Sequence, residues 1–291
     1  MIEPGVYPAS VTPFDAKGQP DAVQMVKLMA RYEAHGCQGV VIAGTNGEGP
    51  SLSAVEKRDL VRDTAPHRGR LRVILGIATP SLSEAIWSAK QAEKSHVDAL
   101  LVMPPYYFKT ASEDGLADWF RAFLDSVDTP VLVYNHPRAC GVPITPDLLG
   151  RLSDHPNFAG AKDSSGQPEN LAQFREAIPG DKRLFVGDET LLLDALRAGW
   201  SGTISGASNV LSLPICAVVQ DWFAGKRESA QAKFALLKPM IETIRKLPQP
   251  ASHKRALCEI GAISSPEVRA PLTTATVDSV VEVLSWPEVR A

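Results

Sequence analysis

Lys162 closes the run Phe158-Ala-Gly-Ala-Lys162, whose other members are apolar or small. Most of the rest of the chain's 13 lysines sit in helical or loop contexts. An ammonium at the end of a buried strand loses hydration, which favours the neutral amine, and a neutral amine attacks a 2-oxo carbon to form an imine. The alternative is a structural lysine paired with Asp163 or another carboxylate. Tyr134 closes a run of the same kind, Val131-Leu-Val-Tyr134. Its phenol is suited to pass protons during imine formation, or to take the proton released by a substrate hydroxyl. It equally suits a core aromatic whose hydroxyl finds a partner. Tyr107 could extend such a relay through a Thr hydroxyl, while Pro104-Pro-Tyr-Tyr-Phe108 also reads as a rigid surface loop or an oligomer contact.

Three glycine-containing stretches offer backbone N–H groups to an anion or to polar substrate atoms. Gly44-Thr-Asn-Gly-Glu-Gly-Pro50 joins an apolar run to a Ser-capped helix, with Thr45 and Asn46 adding polar side chains. It suits a substrate carboxylate, or simply a tight turn, and it is neither a dinucleotide fingerprint nor a phosphate loop ending in GK[ST]. Gly187-Asp-Glu189 and Gly202-Thr-Ile-Ser-Gly-Ala-Ser-Asn209 close two later runs. There, Asp188 and Glu189 would repel a phosphate and instead accept hydrogen bonds from hydroxyls. The six histidines form no HxH or HExxH cluster, so a metal site is not expected and surface or structural roles are. Asp163-Ser164-Ser165 supplies hydroxyls without a recognisable Ser–His–Asp order, which leaves hydrolysis a minor reading.

These residues need elements to bring them together. Strand candidates begin near Gly5, Gly39, Arg72, Ala99, Val131, Phe158, Arg183 and Gly202, about 28 residues apart, the size of a βαβ repeat. Nearly continuous apolar runs such as Val40–Ala43 and Ala99–Met103 expect burial on both faces, as in a parallel sheet covered by helices. Ser53…Glu56 and Ser81…Glu84 read as capping boxes, and Thr145 before Pro146 as an N-cap. Eight strand–helix steps predict an α/β fold, a (β/α)8 TIM barrel, with a doubly wound sheet as the alternative. Beyond Gly206, helices are expected over 211–223, 228–247, 252–261 and near 277–284. The chain is thus divided into a barrel at 1–224 and a C-terminal helical region at 225–291. In a barrel the C-terminal strand ends converge on one mouth, which selects Thr12, Thr45, Tyr106, Tyr107, Tyr134, Lys162, Asp188 and Ser205.

Composition narrows the class. The 291 residues are 44% hydrophobic and 22% charged, which excludes wholesale disorder. A net charge of −3 without a basic stripe argues against nucleic acid. No apolar run is long enough to span a membrane, and residues 1–10 do not read as a secretory signal. Cys37, Cys140, Cys216 and Cys258 form no CxxC pair, so a reducing cytoplasm fits best.

The segments GTNGEGPSL at 44–52, PPYY at 104–107, YNHP at 134–137 and GAKDSSG at 160–166, taken in this order, resemble the dihydrodipicolinate synthase/N-acetylneuraminate lyase family of class I aldolases and synthases. The resemblance covers nearly the whole chain. It implies a (β/α)8 barrel with C-terminal helices, commonly a tetramer built from dimers, and a Schiff base between Lys162 and pyruvate or a similar acid. By motif position it implies proton transfer at Tyr134, a hydroxyl beside the pyruvate carboxylate at Thr45, a tyrosine offered across a dimer interface at Tyr107, and a backbone bordering pyruvate at Ile204. No cofactor is implied. Two departures bear on the second substrate. Family members that use aspartate semialdehyde usually carry Arg two residues after the Pro of YN-x-P, where this chain has Ala139, with Arg138 one position early. Asn46 also replaces the second hydroxyl of the usual relay. The reading that follows is a pyruvate-forming aldolase that cleaves a 4-hydroxy-2-oxo acid, such as a 2-oxo-3-deoxy sugar acid. Asn46, Arg138, Asp188 and Ser205 are its further substrate-binding candidates. Alternatives are 4-hydroxy-tetrahydrodipicolinate synthase, a sugar-acid dehydratase and a non-catalytic pyruvate-binding protein.

Overall fold

Every strand candidate becomes a strand at its expected start. In the computed structural model, which describes residues 2–290, these are β1 (Gly5–Pro8), β2 (Gly39–Ile42), β3 (Arg72–Ile77), β4 (Ala99–Val102), β5 (Val131–Asn135), β6 (Phe158–Asp163), β7 (Arg183–Val186) and β8 (Gly202–Ser205). All pair in parallel in one eight-stranded sheet, ordered β1-β8-β7-β6-β5-β4-β3-β2. The sheet curls until its edges meet: Ala9 bridges Val41 in parallel, and the Ser10 N–H donates to the Val41 carbonyl at 3.0 Å. The result is a (β/α)8 barrel rather than an open doubly wound sheet.

Helices cover the outside of the sheet: α1 (Ala22–Ala34), α2 (Ala54–Thr64), α3 (Leu82–Lys94), α4 (Glu113–Asp125), the single turn α5 (Pro137–Cys140), α6 (Pro146–Leu152), α7 (Glu169–Ala177), α8 (Leu192–Arg197) and α9 (Ser208–Phe223). Ser53 and Glu56 complete a reciprocal capping box at α2. At α3 only half of the expected box forms. Ser81 Oγ takes the Glu84 N–H at 3.3 Å, but the Glu84 carboxylate instead accepts from Thr79 Oγ1 at 3.0 Å. The competing hydroxyl two residues before the cap explains the difference. Thr145 caps α6, with Pro146 in its first turn. The C-terminal helices α10 (Arg227–Lys246) and α11 (Ala251–Glu259) lie within two residues of their expected bounds, and the segment near 277–284 forms a short 3-10 turn followed by α12 (Val281–Ser285). Among the described residues, no helix is long and apolar enough to cross a membrane.

Candidate active site

Register decides which side chains share the barrel interior. Across the β5–β6 pair, Tyr134 stands beside Lys162, and Asn135 beside Asp163. Because successive strand residues point to opposite faces, the first pair turns inward and the second outward. The outward pair builds a closed network. Asp163 accepts from Asn135 Nδ2 at 2.7 Å, Ser165 N–H at 3.1 Å, Ser165 Oγ at 2.8 Å and Asn170 Nδ2 at 3.4 Å. Burial pushes the Asp163 carboxyl up, against the pull of those donors. Asp163 is therefore no counter-ion for Lys162, which removes the structural alternative for the lysine.

Lys162 is 5% exposed, and no described carboxylate lies within ion-pair distance of it. Its Nζ sits 4.2 Å from the centroid of the Tyr134 ring, and Tyr134 Oη lies 3.5 Å from Thr45 Oγ1. These three residues line one cavity of about 290 Å³ at the C-terminal end of the strands, with Asn46, His136, Arg138, Ser164, Gly187, Glu189, Gly206, Arg245, Leu247 and Gln249 completing its wall. A Cβ at Gly187 would stand 1.9 Å from Ser164 Oγ and 2.8 Å from Lys162 Cε, so only glycine lets the lysine stem pass.

Of the sequence-derived candidates, the structure gathers Lys162, Tyr134, Thr45, Asn46 and Arg138 around this cavity. The others are not among its lining residues. Ile204 is wholly buried in β8, paired with Tyr7. Ser205 donates its hydroxyl to Glu189 Oε1 at 2.7 Å and accepts the Ser208 N–H at 3.0 Å. Asp188 is taken up by Arg245 Nη2 at 2.7 Å and Thr190 Oγ1 at 2.6 Å. Tyr107 is 75% exposed on the loop after β4, its ring edge-on to Phe108. Thr12 and Tyr106, which the mouth rule also selected, lie outside the lining; Thr12 Oγ1 instead donates to the Gly47 carbonyl at 2.6 Å and pins the Thr45–Asn46 turn.

Three lining residues, His136, Arg245 and Gln249, carry no clear signal in sequence. His136 reads there as a surface or structural histidine, yet its ring stacks on Tyr134 with centroids 5.6 Å apart. Burial lowers its pKa to about 4, aided by the charges of Lys162, Arg138 and Arg245 and opposed by the Ser164 backbone, so the imidazole is neutral at pH 7. Its place inside YNHP, two residues after Tyr134 and just beyond the end of β5, is the clue. Glu189 and Arg245 form a second unit. Burial would raise the Glu189 carboxyl, but Arg245, the Ala207 N–H and the Ser205 hydroxyl together hold it below its ordinary value. Arg245 and Gln249 come from the end of α10 and the turn beyond it, so the C-terminal extension completes the site.

The arrangement presents an unpaired buried amine, a phenol against it and a hydroxyl on that phenol. Such a set can form an imine with a 2-oxo acid and move the protons that this requires. Among the described residues, no group of three or more His, Cys, Asp or Glu side chains is placed to hold a metal ion.

Comparison with known proteins agrees with this reading of the fold. The profile of the dihydrodipicolinate synthetase family matches residues 3–285. The 4-hydroxy-tetrahydrodipicolinate synthase of Bacillus subtilis is 32% identical over 275 residues, 94% of either chain, and that of Listeria welshimeri is 36% identical over 84% of either chain. Among solved structures, YagE of Escherichia coli K12, a member of the same family in complex with pyruvate, superposes with a TM-score of 0.92 at 25% identity, covering 98% of this chain and 97% of that one. A dihydrodipicolinate synthase of Bacillus anthracis reaches a TM-score of 0.91 at 31% identity, with 98% of each chain covered. The chain belongs to the dihydrodipicolinate synthetase family, a family of pyruvate-dependent lyases of the class I aldolase type.

Proposed function

We propose that the chain joins pyruvate to aspartate semialdehyde through a Schiff base on Lys162, the 4-hydroxy-tetrahydrodipicolinate synthase reaction. The observation that carries this reading is a guanidinium with no described carboxylate partner, that of Arg138, at the exposed rim of the cavity that holds Lys162. Arg245 lines the same cavity but is committed to Asp188 and Glu189. A free guanidinium suits a second substrate with its own carboxylate, which aspartate semialdehyde has and a neutral sugar aldehyde lacks. Relatives named for this synthase at 32% and 36% identity support the same choice. The displacement of the arginine from 139 to 138 therefore leaves its charge at the mouth.

In this mechanism the Lys162 amine adds to C2 of pyruvate, and Tyr134 relays the protons that let one water leave. Thr45 and the N–H groups of its turn hold the carboxylate. Loss of a C3 proton gives the enamine, whose C3 attacks the aldehyde carbon while a proton reaches the new hydroxyl. The amine of the second substrate then displaces Lys162 from C2 and closes the ring. The protein supplies orientation and proton transfer, and the iminium supplies the electron sink.

A second reading, reversible cleavage of a 4-hydroxy-2-oxo acid, draws support from Asn46. An amide there lines the cavity in place of the second hydroxyl of the usual relay and suits a polyhydroxylated chain. For assembly we propose a homotetramer, to which the exposed Tyr107–Phe108 pair would contribute a subunit contact; light scattering measures this directly.

The deciding experiment has two steps. Borohydride with pyruvate should trap an adduct that peptide mass spectrometry places on Lys162 and that Lys162→Ala abolishes. A product-resolved screen then compares pyruvate plus aspartate semialdehyde with a panel of 2-oxo-3-deoxy acids. An adduct on another lysine, or none on folded protein, removes the mechanism. Turnover of the deoxy acids alone replaces the synthase by the aldolase.

A further inference from the structure

Glu48 lies three residues after Thr45 in the turn that follows β2, and its backbone is left-handed at φ +54°, as is that of Ala43 at +55°. Neither residue is glycine, so both conformations are strained and must be held by their surroundings. The turn is wedged tightly, since a Cβ at Gly49 would stand 1.9 Å from the Ala43 carbonyl oxygen. What grips Glu48 comes from the opposite end of the chain. Lys254 on α11 places Nζ 2.5 Å from Glu48 Oε1, with both side chains wholly buried; this is an ion contact not aligned as a hydrogen bond. The other carboxylate oxygen, Oε2, accepts the Arg269 N–H at 2.7 Å. Lys254 Nζ also donates to the Glu267 carbonyl at 2.7 Å and sits 3.7 Å from the centroid of the Phe14 ring. The Arg269 guanidinium continues the grip onto Glu56, at the head of α2, and onto the Ser51 and Gly18 carbonyls.

A buried ion pair of this kind contributes little net stability compared with a well-packed apolar pair, so its presence calls for another reason. We propose that Glu48 and Lys254 are positioning residues: the C-terminal extension reaches through this pair to fix the strained turn whose Thr45 and Asn46 receive the substrate carboxylate. The inference rests on the proposed pyruvate chemistry and assigns a task to the extension within it. It differs from simple buttressing because the pair acts on the pyruvate subsite and leaves the reacting nitrogen of Lys162, on β6, untouched.

The test uses borohydride trapping of pyruvate by the full chain, which needs no second substrate. Lys254→Met keeps the stem and removes the charge. Glu48→Gln with Lys254→Met removes both charges, an exchange that buried pairs tolerate. In each, the half-saturating pyruvate concentration should rise about tenfold, the loss of roughly one charge-assisted hydrogen bond to the carboxylate, while trapping at saturating pyruvate is retained. The double variant should regain most of the melting temperature that Lys254→Met loses, but not the pyruvate affinity. If a folded variant keeps wild-type half-saturation, or loses maximal trapping instead, the assignment is wrong. Recovery of affinity and stability together would reduce the pair to a stability element and overturn it, as would failure of both variants to fold. Absence of an adduct in the wild-type chain would instead refute the pyruvate chemistry itself.

Discussion

Acid should loosen the C-terminal extension through one histidine. His253, next to Lys254 on α11, is 1% exposed, and neither ring nitrogen has a hydrogen-bond partner. Burial lowers its pKa from 6.5 to about 4, with Glu189 pulling weakly the other way. The folded chain therefore refuses a proton that the unfolded chain accepts below pH 6.5. Stability is intact above that value and is lost as pH falls toward 4, with a ceiling of about 3 kcal/mol, because the loss accrues at about 1.4 kcal/mol for every pH step between the two values. Between pH 7.5 and 5 the loss is about 2 kcal/mol. His253→Leu has nearly the same volume and nothing to protonate, and no hydrogen bond is broken by it. The variant should be at least as stable as wild type at pH 7.5, because an orphaned buried imidazole is itself unfavourable. At pH 5 its melting temperature should lead by a further 4–8 °C or about that. His136 also resists protonation but is present in both proteins, so it cancels in the difference. A lead independent of pH would show that His253 does not titrate as its burial dictates. A wild type more stable at pH 7.5 would show that the ring has a partner after all.

Three residues that line the cavity should separate by assay. Tyr134→Phe keeps the ring under Lys162 but removes the proton carrier, and kcat should fall by about two to four orders of magnitude while pyruvate still binds. Arg138→Gln should raise the KM for aspartate semialdehyde about tenfold or more, the loss of a charge-assisted hydrogen bond, and leave the KM for pyruvate unchanged; equal changes in both would refute its role at the second carboxylate. Arg245→Met strips the counter-charge from the buried Glu189 and should destabilise the fold by about 3–5 kcal/mol, read as a lower melting temperature that recovers in part when Glu189→Gln is added.

Much of the barrel is legible because its signals are local. A buried parallel strand needs a short apolar run, and a helix needs a cap, and both are written within a few residues of each other. Thr145 and Ser53 announce their helices correctly for that reason. Ser81 misleads in part, because the partner that captures Glu84 is Thr79, a residue outside the four-residue motif. Lys162, Tyr134 and Thr45 are legible for a related reason, since each ends or closely follows a strand and strand ends converge in a barrel.

The less legible part of the site depends on long-range pairing. Nothing near Arg245 says that it will meet Asp188 and Glu189, more than fifty residues earlier, and take both carboxylates out of reach of a substrate. Asp188 and Glu189 accordingly both read as hydroxyl acceptors in sequence, when only Glu189 lines the cavity and the oxygens of both are already occupied. The same reasoning explains Lys254. Taken alone it is one helical lysine among several, and Glu48 is a polar residue in a Gly-rich turn. Only the fold buries them together, and a left-handed glutamate has no local reason to persist. The core of the cavity is therefore written at the strand ends. How firmly the turn that carries Thr45 is held is written in the contacts of Glu48 with Lys254 and Arg269, more than two hundred residues later.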